Sequence, residues 1–94
     1  MSPKKTLERK KMEHEITYTF QIYKNKNKQF GIEFDSDGVI GALDEGTHAY
    51  QVLRLDDKII AINGIRCKTY HDILLLAKFS TNSAIFSIYR DLSV

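Results

Sequence analysis

The chain has one cysteine, Cys67, so no disulfide can close within it and a reducing compartment is expected. It has no excess of either charge. Fourteen lysines and arginines stand against twelve aspartates and glutamates, so the bulk basicity that nucleic-acid binding draws on is missing. No apolar run approaches the ~20 residues of a membrane-spanning helix. Residues 1–15 are polar and lack the apolar core of a secretory signal. Cys-x-x-Cys, His-Glu-x-x-His and phosphate-cradling glycine runs are also missing. The nucleophiles and bases that remain are Cys67, His14, His48, His71, Asp56 and Asp57, and they fall in scattered segments. Cys67 reads as a small buried apolar residue of a strand. With no nucleophile, base and orienting group in one place, no enzyme, metal or cofactor is expected.

What is present is an ordinary globular composition, 43% hydrophobic and 28% charged, sized for one small domain with a thin core. Residues 1–14 read as a basic, solvated and disordered arm, residues 15–91 as the folded domain and residues 92–94 as a tail. Ile16, Tyr18, Phe20 and Ile22 alternate with Thr17, Thr19, Gln21 and Tyr23, which predicts a half-buried first strand. A polar loop, Lys24 to Lys28, leads to a glycine turn and second strand over Gln29 to Asp35. After the Asp35-Ser36-Asp37-Gly38 turn comes a third strand, Val39 to Leu43. Thr47 caps a short helix through Val52. Lys58 to Ile62 is an apolar strand, and Asn63-Gly64 is a strong hairpin signal before a brief strand, Ile65 to Cys67. Thr69, with Asp72 three residues on, opens a helix to about Phe79. A last strand runs from Ala84 to Arg90. Five to six short strands with two helices predict an α+β fold, a small partly open β-barrel or sandwich.

Residues 28–34, Lys-Gln-Phe-Gly-Ile-Glu-Phe, carry the functional signal. One glycine sits between apolar residues and runs straight into a strand. A glycine turn there can point successive N–H groups outward, and such a concavity suits a carboxylate.

In this order and spacing the residues resemble a PDZ domain over roughly residues 16–90. Gln29-Phe30-Gly31-Ile32 resembles the family's carboxylate-binding loop. Gly46-Thr47-His48-Ala49 is similar to its lead-in to the first helix. Leu53-Arg54-Leu55-Asp56-Asp57-Lys58-Ile59 and Ile60-Ala61-Ile62-Asn63-Gly64 resemble the runs before and through the fourth strand, and Thr69 to Lys78 the second helix. Gln29 replaces a loop glycine. Asp56 replaces a turn glycine, at a place where Asp tolerates left-handed backbone.

The resemblance implies a non-catalytic interaction module, a scaffold or adaptor. It would bind C-terminal peptides of partners such as membrane receptors, channels or signalling proteins by strand addition between the second strand and second helix. The carboxylate would take N–H bonds from Phe30, Gly31 and Ile32 beside Gln29, with Lys26 or Lys28 adding a cation. Phe30, Ile32 and Phe34 would line the groove. Glu33 and Asp35, on the strand's other face, would attract basic residues at intervening ligand positions. The helix register has two options. Thr69 as cap places Tyr70, Leu74 and Ala77 on the groove; Tyr70 as cap places His71, Leu75 and Lys78 there, with Lys78 aimed into an apolar pocket. The first is favoured, and Tyr70 in place of a histidine then implies a Φ-x-Φ-COOH (class II) preference. The chain's own Leu92-Ser93-Val94 fits that pattern, so head-to-tail self-association is also expected. The location implied is cytoplasmic, at the inner face of the plasma membrane through partners. The alternative keeps the fold but leaves the groove unused or atypical, with the domain acting through other domains or through phosphoinositide and membrane contacts of the basic arm.

Overall fold

The structure is a computed structural model that describes residues 15–92. The basic arm, and Ser93 and Val94 of the tail, lie outside the described residues.

Eight elements follow one another: β1 (Glu15–Tyr23), β2 (Ile32–Phe34), β3 (Ile40–Leu43), α1 (His48–Val52), β4 (Lys58–Ile62), β5 (Ile65–Arg66), α2 (Tyr70–Phe79) and β6 (Ser83–Asp91). They form a four-stranded sheet, β1-β6-β4-β5, and a two-stranded sheet, β2-β3, joined through the Val39–Lys58 bridge. This is the expected α+β architecture. β1 and β6 pair antiparallel without a break, from Glu15 opposite Asp91 to Tyr23 opposite Ser83.

Period-two alternation in the strands turns one side chain in two inward. Ile22, Ile40, Ile59, Ile62, Phe86 and Ile88 are the fully buried apolar centre; α1 adds Ala49, its C-cap adds Leu53, and α2 adds Ile73. Phe30 closes the core under the glycine loop, edge-on to Phe86 at 5.0 Å.

Strand ends differ from the sequence reading where pairing, not local pattern, decides them. Within Gln29–Asp35, read as a glycine turn plus a strand, the turn takes Gln29 to Gly31 and the strand proper is Ile32–Phe34, with Asp35 in the following turn. β3 starts at Ile40; Val39 instead bridges to Lys58. β5 stops at Arg66, which leaves Cys67 outside the strand and half-buried. β6 extends one residue further at each end than Ala84–Arg90, because β1 continues to pair with it.

The turns follow their chemistry. Asn63 and Gly64 both have positive φ, 53° and 79°, as a two-residue hairpin turn needs. Asp56, where the family pattern has glycine, sits at φ 73°. Beside it lies an arrangement that the sequence does not announce. Arg90 donates from Nε to Asp57 Oδ1 at 2.9 Å and from a terminal nitrogen to Oδ2 at 2.8 Å. It also donates to the Val52 carbonyl at 3.1 Å. Both residues are buried, and the guanidinium lies over the rings of Tyr18 and Phe20. Asp57 Oδ2 accepts from Arg54 N as well, so the pair fixes the connection between α1 and β4 to the end of β6.

Candidate functional site: a groove between β2 and α2

A cleft of about 610 Å³ runs between β2 and α2. Its floor is Phe30, Ile32, Ile59, Ile73 and Phe86, and Leu74 and Ala77 form the helical wall. The helix register comes from its cap. Thr69 Oγ1 accepts from Asp72 N, and the Asp72 carboxylate accepts in return from the N–H groups of Lys68 and Thr69 at 2.8 and 3.1 Å. Those N–H donors hold the Asp72 carboxyl below the usual carboxylate range. Tyr70 is therefore the first residue of α2. Its ring meets that of Phe34, a lining residue, at 5.0 Å, so it stands just beyond the far end of the cleft; neither Tyr70 nor His71, which is exposed beside it, lines the cleft itself.

The near end is the glycine loop. Asn25 Oδ1 accepts from the N–H groups of Asn27 and Gln29, and the Asn25 N–H donates to the Gln29 carbonyl at 2.8 Å. This leaves Lys28 left-handed, φ 64°, and takes the Gln29 N–H out of use. Gly31 has φ 76°, and a Cβ there would meet Thr47 Cγ2 at 2.7 Å and Asp44 Cβ at 3.1 Å. Thr47 is itself pinned, as the cap of α1 and as a donor to the Asp44 carbonyl at 2.7 Å. The Gly31 carbonyl accepts from Asp44 N at 2.9 Å. None of the loop hydrogen bonds among the described residues uses the N–H of Phe30 or Gly31.

Backbone polarity then alternates along β2. The Gly31 carbonyl and Asp35 N–H face β3, where Asp35 N donates to the Val39 carbonyl. Between them Ile32 stands opposite Leu43 and Phe34 opposite Ile40, so Ile32 and Phe34 turn their N–H and C=O groups to the open edge beside α2. The cleft thus offers a row of main-chain donors and acceptors along its strand wall, with apolar side chains below.

The lysines divide. Lys24 and Lys28 line the cleft; Lys26 does not, because it occupies the tip of the turn that Asn25 organises. Lys24 Nζ donates to the Ser80 carbonyl at 2.6 Å and lies 5.3 Å from the Phe30 ring centre, while Lys28 Nζ donates to Asn82 Oδ1 at 3.2 Å. Ser80 caps the C-terminus of α2 and is also held by Asn63 Nδ2. These bonds tie the loop to the helix end and set the width of the cleft there. The sequence signal for Lys24 is its place directly after β1, which fixes where its side chain starts. Lys78 completes the cationic rim. Glu33 is exposed at the edge of the cleft, whereas Asp35 is committed to its turn, with Oδ1 accepting from the N–H groups of Asp37 and Val39.

The residues weighed for catalysis lie apart. His48 Nδ1 accepts from Tyr23 N at 3.1 Å, Asp57 is paired with Arg90, and His14 is outside the described residues. Burial, with Asp72 nearby, pushes the Cys67 thiol up, away from the reactive thiolate. No hydrogen bond joins any two of these residues among the described ones. No described helix is long and apolar enough to cross a membrane.

No family model matches the sequence, and a search of curated proteins returns no match. Solved structures do match. The PDZ domain of a choanoflagellate SHANK1, solved with a GIRK3 peptide bound, superposes with a TM-score of 0.75 at 20% identity, covering 85% of this chain and 98% of that one. The second PDZ domain of Dlg1 from the choanoflagellate Monosiga brevicollis gives 0.71 at 12% identity, covering 81% of this chain and 100% of that one. By these likenesses, this chain has the fold of a PDZ domain.

Proposed function

We propose that this domain is a non-catalytic interaction module that binds the C-terminal peptide of a partner protein by adding it as a strand between β2 and α2. The observation that carries the reading is the loop. The N–H groups of Phe30 and Gly31 have no partner among the described residues, and Ile32 turns its N–H to the same open edge. A terminal carboxylate accepting from them makes charge-assisted bonds, roughly twice as strong as neutral ones. Lys24 and Lys28 place positive charge beside it. The SHANK1 domain, solved with a peptide, supports the same use of the cleft here.

The ligand preference proposed is Φ-x-Φ-COOH. Small Ala77 above Phe30 and Phe86 leaves room for a large aliphatic or aromatic last side chain. Two residues earlier the ligand meets Phe34 and Leu74, with the Tyr70 ring against Phe34, an apolar surface whose first helical position carries a phenol in place of an imidazole. Glu33 at the rim favours a basic residue at an intervening position. Affinity near micromolar is expected, roughly −8 kcal/mol, because the ligand gives up its flexibility on binding. The partners are the tails of receptors, channels or signalling proteins in a reducing, cytoplasmic setting.

An array of C-terminal peptides tests the preference. The parent domain should select apolar residues at the last and third-last positions. Tyr70→His should shift the third-last position toward Ser or Thr by about tenfold, ~1.4 kcal/mol. An unchanged profile in that variant would remove Tyr70 from the specificity pocket.

A further inference from the structure

β1 lies at the end of the four-stranded sheet and pairs only with β6 among the described residues. Its two edges can be told apart. Lys24 N donates across to the Asn82 carbonyl beside β6, while Tyr23 N turns the other way, onto His48 Nδ1. By alternation, Thr17, Thr19 and Gln21 direct their N–H and C=O groups to the open edge, and α1 closes only the Tyr23 end. An open edge is a template for another strand, and natural edges are blunted by lysine, proline, bulges or shortness. Here none of these operates. β1 has nine residues, its pairing with β6 is unbroken, and from Ile16 to Tyr23 it holds neither a charge nor a proline.

We propose that this edge pairs antiparallel with the same edge of a second copy of the chain, about a two-fold axis at Thr19. The lack of charge argues for a second copy as the occupant. A two-fold axis sets a strand against itself, so any charge at the axis meets its like. Thr19 opposite Thr19 of the second copy, and Thr17 opposite its Gln21, place neutral, hydrogen-bonding side chains together. Each facing pair exchanges two main-chain N–H···O bonds. The surface beside the axis continues the pattern. Thr19 meets Ser87 at 3.4 Å and Gln21 donates to Ser83 at 3.2 Å, and no charge occurs from Ser80 to Tyr89. In a chain that is 28% charged, this neutral strip has the charge depletion of an interface centre. The contact leaves the groove between β2 and α2 free. Its small area makes the dimer weak, well below the ~800 Å² per partner of a standard interface.

Sedimentation of the full chain over a rising concentration series tests this. The parent should move from monomer to dimer, and deleting Leu92 to Val94 should leave that shift in place. Thr19→Lys and Thr19→Glu should each be monomeric, and an equimolar mixture of the two should dimerise. Thr17→Lys combined with Gln21→Glu places opposite charges across the axis twice and should tighten the dimer several-fold, which keeps the test open should a Thr19 variant fail to fold. A parent that stays monomeric throughout would overturn the proposal. So would dimers that persist in both single Thr19 variants, or dimerisation that appears only after residues 2–14 are deleted, since the edge would then be covered by the chain's own arm.

Discussion

Arg90 and Asp57 show how much a single pair can carry. Two guanidinium nitrogens meet two carboxylate oxygens in a buried place, and each partner makes one further bond to the backbone. That carboxylate raises the Arg90 guanidinium above its ordinary range. Removing Arg90 leaves the buried Asp57 carboxylate with the Arg54 N–H but no opposite charge, so Arg90→Ala should cost about 3–5 kcal/mol in a denaturant titration. A loss below ~1 kcal/mol, the worth of an exposed pair, would contradict the buried role. The Asp57 carboxylate is visible in the sequence as an acidic residue before a strand, but its partner is not, because the two lie far apart in chain order. Gly31 and Asn63-Gly64 are legible for the contrary reason: left-handed backbone narrows the residue choice at the position itself. The cation beside the loop is harder to read. Three lysines alternate in five residues, and which of them face the cleft depends on how Asn25 turns the chain.

α2 is the wall on which the proposed specificity depends, and its register rests on a local device. The box between Thr69 and Asp72 spans four residues, so its signature is complete within a short stretch of sequence. It also gives the helix a pH signature. The folded Asp72 carboxyl lies below its ordinary value because the N–H groups of Lys68 and Thr69 favour the ionised form. Its stabilisation is therefore complete above the unfolded value of about 3.9 and is lost as pH falls through the lower folded value. The gap in melting temperature between the parent and Asp72→Asn should stay constant from about pH 5 upward and close as pH drops below about 4. A gap unchanged at about pH 2 would show that the charge of Asp72 plays no part. Strand ends are less legible than helix ends. Whether Val39 belongs to β3 depends on Lys58, and whether Ser83 belongs to β6 depends on Tyr23; neither partner is near in sequence.

At the scale of the whole molecule the groove is a product of assembly. β2 brings an open row of backbone groups and α2 brings an apolar wall from some forty residues later. Lys24 and Lys28 tie the loop to the segment after the helix, through Ser80 and Asn82. The order of the motifs reveals both walls, whereas the bonds between them appear only in the folded chain. The central claim is that the glycine loop holds a terminal carboxylate, and one titration meets it directly. A peptide ending Φ-x-Φ is titrated into the domain as the free acid and as the C-terminal amide, while the backbone N–H signals of Phe30, Gly31 and Ile32 are followed by NMR. The free acid should bind at least about tenfold tighter than the amide, since charge-assisted bonds of roughly 1.5–3 kcal/mol are lost, and those three signals should move only with the acid. Equal affinities, with the loop signals unmoved by either peptide, would contradict the account.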